Sequence, residues 1–219
     1  MTAAPAAAAE RSYSVTSFDR IRVEGPFTVA VTTGKALSAR ASGDAEALER
    51  VQLRVEGRTM LIRPNPSGWG GYPGKQGAPA RITVTTPDLN TAILIGSGSL
   101  DIDRIRGMKA VLTVEGSGRL TAGQVDVDNL SLAIAGSGGI EVSGHAKQAA
   151  AVARGAAGIS APGLIVADLI LTSETAGAVS MHATRSAKVT ALGIGAVQVA
   201  GTAACEVKQA GSGPLACGK

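Results

Sequence analysis

Aromatic side chains are scarce in this chain. Five occur in 219 residues: one Trp, two Tyr and two Phe. None lies beyond Tyr72. A core without them must be built from Val, Leu, Ile and Ala, which favours thin, regular layers over one bulky centre. Single-stranded nucleic-acid binders combine clustered Lys and Arg with stacking rings. Here residues 1–109 hold 14 Lys and Arg against 10 Asp and Glu, and residues 110–219 hold 7 against 7. The net charge of +4 is thus a diffuse excess in the first half, and no nucleic-acid partner is expected. No run of about 18 apolar residues is present, so no transmembrane helix is expected. The 29 glycines keep no strict third-position period, which excludes collagen.

Cysteine is nearly missing too. Cys205 and Cys217 match no zinc spacing, and no metal or cofactor is expected. Two thiols can bond to each other or stay buried and reduced. A disulfide stapling the C-terminal end is the expectation, and it implies an oxidising compartment. The opening "MTAAPAAAAE" lacks a charged segment followed by a long apolar one, so it does not read as a signal peptide. Residues 1–12 read instead as a disordered Ala/Pro leader, such as an exported protein would carry once its signal is removed.

What the chain has is a repeat. Gly-Ser-Gly occurs as Gly96-Ser97-Gly98, Gly116-Ser117-Gly118 and Gly136-Ser137-Gly138. Looser copies follow at Gly155-Ala156-Ala157, Thr175-Ala176-Gly177 and Gly193-Ile194-Gly195, and the motif returns at Gly211-Ser212-Gly213. Successive copies are 18–20 residues apart. Two residues beyond each third position stands an aliphatic residue: Leu100, Leu120, Ile140, Ile159, Val179, Val197 and Leu215. Apolar residues also alternate into each motif, as at Leu112 and Val114 or Leu132 and Ile134. A period of two is the strand signal.

A unit this short cannot bury its own apolar face, but stacked copies can, at about 4.8 Å per coil. That describes a parallel β-helix. Seven copies would make a column on the order of 30 Å long. The glycines are then corners, at Gly96, Gly98, Gly116, Gly118, Gly136, Gly138, Gly195 and Gly213. Serine stacked on serine would form a polar ladder there. Left-handed hexapeptide helices fit worse, because a six-residue step from Leu100 or Leu120 lands on Arg106 or Asp126. Calcium-binding nonapeptide repeats need a Gly-Gly-x-Gly-x-Asp pattern that is absent.

Residues 13–62 alternate as well, without the corner spacing. They read as irregular opening strands that cap the first edge of the solenoid, with Phe18 and Phe27 as plugs. The stretch "DAEALERV" from Asp44 is worth a turn or two of helix at most. Residues 63–80 are too rich in Pro and Gly for strand or helix, so they read as a long loop. Its Trp69 and Tyr72 are either a platform for a partner or glycan or part of a loop folded back over the column.

The opening "FDRIRVEGPFTVAVTTG", the phrase "RITVTTPDLNTAILIGSGSL" with its Thr-Pro-Asp-Leu turn at 86–89, and the repeated glycine corners resemble one bacterial family, the "putative auto-transporter adhesin, head GIN domain" family. The resemblance covers about residues 13–215. It implies a right-handed parallel β-helix in an exported or envelope-attached protein, and it carries over no catalytic residues.

The competing reading is a carbohydrate-active β-helix enzyme, a lyase or glycosidase. Such sites need carboxylates on adjacent coils and a basic residue. A 20-residue register puts Asp101 against Thr121 and then Glu141, Asp103 against Gly123 and Ser143, and Arg106 against Asp126. The acids are diluted, and Arg106 with Asp126 reads as a surface ion pair. His145 and His182, the general-base candidates, sit at different offsets from their corners and need not align. The expectation is therefore one all-β domain over residues 13–219, a right-handed parallel β-helix (solenoid) of about seven 18–20-residue coils. Residues 13–90 would be its irregular β cap and 91–219 its regular repeats. It would be a non-enzymatic, adhesin-like scaffold binding an envelope or host protein or glycan, with self-association possible.

Overall fold

In the computed structural model the described residues are 9–65 and 79–218. From Ser99 onward the chain runs in long strands, each covering most of one coil: β9 (Ser99–Gly116), β10 (Arg119–Gly136), β11 (Gly139–Gly155), β12 (Gly158–Thr175) and β13 (Val179–Ala191). Shorter strands complete the last turns: β14 (Val197–Ala200), β15 (Ala204–Gln209) and β16 (Leu215–Cys217). All these pairs are parallel. About six coils stack into a solenoid, and the seventh corner leads only into the three residues of β16.

The pairing register reproduces the sequence repeat. Leu120 aligns with Leu100 and with Ile140, then the file runs on through Ile159, Val179 and Val197 to Leu215. Leu100, Leu120, Ile140 and Ile159 are at most 1% exposed. A second inward file runs Leu112, Leu132, Ala151, Leu171, Val189 and Val207. Each member covers the one below, so burial comes from coil-to-coil contact. Fully burying one such side chain stabilises by about 1.5–3 kcal/mol.

The two glycines of a corner are needed for different reasons. The first takes a positive φ, +108° at Gly96, +114° at Gly116 and +119° at Gly136, a conformation that side chains disfavour. The third is crowded from the coil before: a Cβ on Gly118 would stand 2.7 Å from the Gly98 carbonyl oxygen. Main-chain bonds then lock each corner onto the previous one. Ser117 N–H and Gly118 N–H both donate to Gly96 O at 3.0 and 2.8 Å, and Arg119 N–H donates to Gly98 O at 3.0 Å. The same bonds recur one coil on, at Ser137, Gly138 and Gly139. The serines differ from expectation. Ser97, Ser117 and Ser137 are exposed and their hydroxyls bond to none of the described residues, because at this turn they point to water. The backbone, not a hydroxyl ladder, holds the corner.

Where glycine is replaced, other groups close the turn. Thr175 is 1% exposed; its hydroxyl donates to Ala157 O at 2.7 Å and accepts from Gly177 N–H at 3.0 Å. Gly195 N–H donates to Thr175 O at 2.9 Å, and Gly213 is buried at the last corner.

The N-terminal end is built out of chain order. Strands β1 (Ala9–Tyr13), β2 (Arg20–Glu24), β3 (Thr28–Thr33) and β4 (Ser38–Gly43) come first. Helix α1 (Ala45–Glu49) follows, capped by the Asp44 carboxylate accepting from Ala47 N–H. Then come β5 (Val51–Glu56), β6 (Thr59–Pro64), β7 (Arg81–Thr86) and β8 (Thr91–Gly96). The β2–β3 unit lies directly against the first regular coil: β2 pairs β8, and β3 pairs the start of β9. Between them Gly25-Pro26-Phe27 sits against the Gly96–Gly98 corner; Gly25 has φ +101°, and Ser99 N–H donates to Phe27 O at 2.9 Å. This is one more corner, unmarked in the sequence because Pro and Phe occupy its second and third places. Outside it lie β6 and β7, parallel to β2 and β3. Antiparallel strands then close the end, β5 on β6, and β4 on β7 with β1 on β4. Phe18 and Phe27 are buried at 2% and 4% exposure.

Two boundaries move. Residues 9–12, read as part of a disordered leader, belong to β1; its side chains are mostly exposed, but its main chain pairs with β4 from Ala9↔Gly43 to Tyr13↔Ala39. Arg63 and Pro64, read as loop, end β6, where Pro64 lies at the strand terminus and breaks no ladder.

Leu120→Ala should lower unfolding stability by about 2–5 kcal/mol in denaturant titration. Ser117→Ala should change it by no more than about 0.5 kcal/mol, whereas Gly118→Ala should cost at least about 2 kcal/mol. A larger loss at Ser117 than at Gly118 would restore the hydroxyl ladder.

Candidate binding surface

Because each coil repeats the last, outward side chains form vertical files too. One file runs Lys109, Asn129, Gln148, Asp168, Ser186 and Ala204, and a second runs Val111, Ser131, Ala150, Ile170, Lys188 and Glu206. Between them an inward file of Ala110, Leu130, Ala149, Leu169 and Ala187 is buried. The two outward files border a trough along the column axis of about 720 Å³. Its middle is short and weakly polar, with Ser131 and Ala150, and Ile170 is 58% exposed.

At its N-terminal end the trough meets a second concavity of about 660 Å³, and Lys109 lines both. This one is basic: Arg20, Arg58, Arg106 and Lys109 surround Asp19, Asp88 and Asn90. Asp19 is 9% exposed. It accepts from Arg58 Nη2 at 2.5 Å and Asn90 Nδ2 at 2.9 Å. The Arg58 guanidinium holds its carboxyl below the usual carboxylate range, against the opposing cost of burial. Arg106 and Lys109 have no acidic partner within ion-pair distance among the described residues. The register places Arg106 against Asp126, yet the expected ion pair is not formed. Both side chains project outward from the wall and are solvated there, so adjacency in a file does not bring the charges together.

Ion pairs do form elsewhere between neighbouring coils: Arg119 with Glu141, Lys147 with Asp128 at 2.7 Å, Arg154 with Glu174 at 3.1 Å, and Lys188 with Glu206 at 3.3 Å. The strongest setting is at Asp168. It accepts from Arg185 Nε at 2.8 Å, from Arg185 Nη2, and from Ser186 Oγ at 2.7 Å. The Arg185 hydrogen bonds lead in lowering its pKa to about 2. The charges at this end of the trough are thus matched internally, while those at the N-terminal end are not.

The histidines align after all. His145 faces Ile165, and Ile165 faces His182. Register shifts between Glu141 and Gly144, and between Ser160 and Ile165, absorb their different corner offsets. They stand two coils, about 10 Å, apart, too far to share a small ligand. Asp101, Thr121 and Glu141 form a file as expected, and its acids stay separated by Thr121. Among the described residues no group of three His, Cys, Asp or Glu could hold a metal, and no helix is long and apolar enough to cross a membrane. Trp69 and Tyr72 lie outside the described residues. Cys205 and Cys217 are bonded to each other across the last coil, tying β15 to β16. The trough itself was missed in the sequence, where its signal was the paired outward files at i and i+2.

A parallel solenoid with one end closed by antiparallel strands, and with display files in place of a carboxylate cluster, defines the class. The family whose profile matches residues 17–203 is described as "Putative auto-transporter adhesin, head GIN domain", and this chain belongs to it. Its fold is similar to that of a "putative adhesin" from Bacteroides fragilis, with TM-score 0.86 and 21% identity, covering 95% of each chain. A "putative adhesin" from Parabacteroides merdae gives TM-score 0.74 at 17% identity, and a "putative lipid binding protein" from Parabacteroides distasonis gives 0.72 at 22%, each covering 95% of both chains. No curated protein matches the chain.

The Asp168 contacts predict an acid-side stability loss. A carboxylate with a depressed folded pKa stabilises fully above its unfolded pKa of about 4, and the contribution fades as pH falls towards about 2. Thermal melts of the protein and of Asp168→Asn should differ at pH 6 and converge between about pH 4 and 2. Melting curves that stay equally separated throughout would remove the assignment.

Proposed function

We propose that this protein is an exported, non-enzymatic, adhesin-like binding module that holds an extended partner against one face of a rigid column. The observation that carries this reading is the trough, which runs across several coils from Lys109 to Glu206 and adjoins a concavity whose Arg106, like Lys109, has no acidic partner among the described residues. Stacked strands cost little to pre-organise on binding, so a ladder surface loses little entropy when it is covered. The trough offers amides at Asn129 and Gln148 and apolar contact at Ile170, but residues 110–219 contain no Phe, Tyr or Trp on which a sugar could stack. That chemistry suits an extended protein segment along the trough. The basic concavity suits an acidic end of the same partner, or an acidic glycan. The segment carrying Trp69 and Tyr72 is a further contact in this proposal.

Ala150 is exposed in the trough, so Ala150→Arg obstructs it without disturbing the core. Envelope fractions would be passed over the immobilised protein and over Ala150→Arg, Arg106→Ala/Lys109→Ala and Trp69→Ala, with captured proteins and glycans identified by mass spectrometry. The expected result is at least about tenfold less of the same partner on the first two variants. Equal capture by both would remove the trough from the proposal, and loss with Trp69→Ala alone would move the contact to the Trp69–Tyr72 segment. Incubation with acidic polysaccharides, with and without calcium, should yield no unsaturated products; steady turnover would replace this reading by a lyase.

A further inference from the structure

The two ends of the column are finished differently. At the N-terminal end the inward residues Met60, Ile62 and Ile82 are fully buried, closed over by antiparallel strands and by Ala47 and Leu48 of α1. At the C-terminal end the inward files stop among the described residues, where β15 pairs only with β13, and β16 only with β14. Val189 is 0% exposed, but Val207, which lies directly on it, is 41% exposed, and every residue of β15 is solvent-exposed. A free strand edge that carries an exposed apolar residue is a template for another strand.

We propose that this end is a self-association surface: a second copy of the chain docks on it, end to end, by antiparallel pairing of β15 with its own copy about a two-fold axis at Val207. The sequence of β15, Ala-Cys-Glu-Val-Lys-Gln, is self-complementary in that register. Val207 meets the second copy's Val207, and each Glu206 stands directly opposite the second copy's Lys208. Both charges project outward, since Cys205, Val207 and Gln209 continue the inward files of Ala187, Val189 and Ala191. Opposite charges directly across an antiparallel pair are favourable, and like charges are unfavourable. Glu206 is already drawn to Lys188 at 3.3 Å, while Lys208 has no acidic partner among the described residues. An isologous contact of this kind closes on itself and gives a dimer with both sealed ends outward. A head-to-tail fibre is disfavoured, because the other end is already covered. The disulfide between Cys205 and Cys217 holds the docking strand against β16.

Sedimentation velocity over a concentration series tests this. The protein should reversibly dimerise. Lys208→Glu and Glu206→Lys should each weaken the dimer about tenfold or more, since each reversal creates two like-charge pairs in the symmetric contact. The double variant Glu206→Lys/Lys208→Glu should recover most of the affinity, and Val207→Arg should give monomer. Thermal melts of the variants establish that they remain folded. A monomer at every concentration overturns the proposal, and the free edge is then one guarded by its own charges. A dimer indifferent to the reversals, or one in which the double variant is no better than the singles, overturns the register. Lys208→Glu and Val207→Arg separate this outcome from the trough, because neither residue lines it, whereas Glu206 does.

Discussion

Stacking of one coil on the next supports everything else in this molecule. A single coil has an inward apolar row that it cannot cover and a row of main-chain donors and acceptors that it cannot satisfy. Its neighbour answers both needs at once, through bonds such as Ser117 N–H to Gly96 O and files such as Leu100, Leu120 and Ile140. The stability of the column is therefore a sum of nearest-neighbour terms. The ends are the places where a term is missing. The N-terminal end fills its gap with strands laid down out of chain order, and the C-terminal end leaves its gap open at Val207.

The same regularity shapes the surface. Whatever residue a coil turns outward lands beside its counterparts, so two outward files on either side of a buried one border a trough along the column. This suits grip along a line. Neighbours in a file sit about 4.8 Å apart and project in parallel, so groups that converge on such a wall must come from adjacent coils. The separated acids at Asp101 and Glu141, and the two histidines at the ends of a three-residue file, illustrate that geometry. Arg106 and Asp126 do so as well, being register partners without contact.

Cross-coil ion pairs decorate the walls without holding them up. Arg119 with Glu141 and Arg154 with Glu174 are largely exposed, where such pairs are worth at most about 1 kcal/mol. Asp168 differs because one carboxylate receives Arg185 and Ser186 together. Of these charged groups only Asp168 lines the trough, where Lys188 and Glu206 also pair.

The repeat of corners and aliphatic residues carried the class of fold, the coil period and the inward files, because these depend on which side chains recur and at what spacing. The chain alone also marked both glycines of the Gly-Ser-Gly corners, though not why there are two. Positive φ at Gly116 and the carbonyl packed against Gly118 are separate demands that only the stacked coils reveal. The corner at Gly25–Phe27 was hidden, since its partner at Gly96 is far along the chain and the intervening strands are inserted elsewhere. The hydroxyl ladder, the Arg106–Asp126 pair and the offset of the histidines were misjudged for one reason. Sequence spacing fixes which residues share a file, but the direction of a side chain at a bend, and the bulges that shift a register, come from three-dimensional packing. The trough and the unsealed end belong to that second category, because each is a property of neighbours present or absent in space.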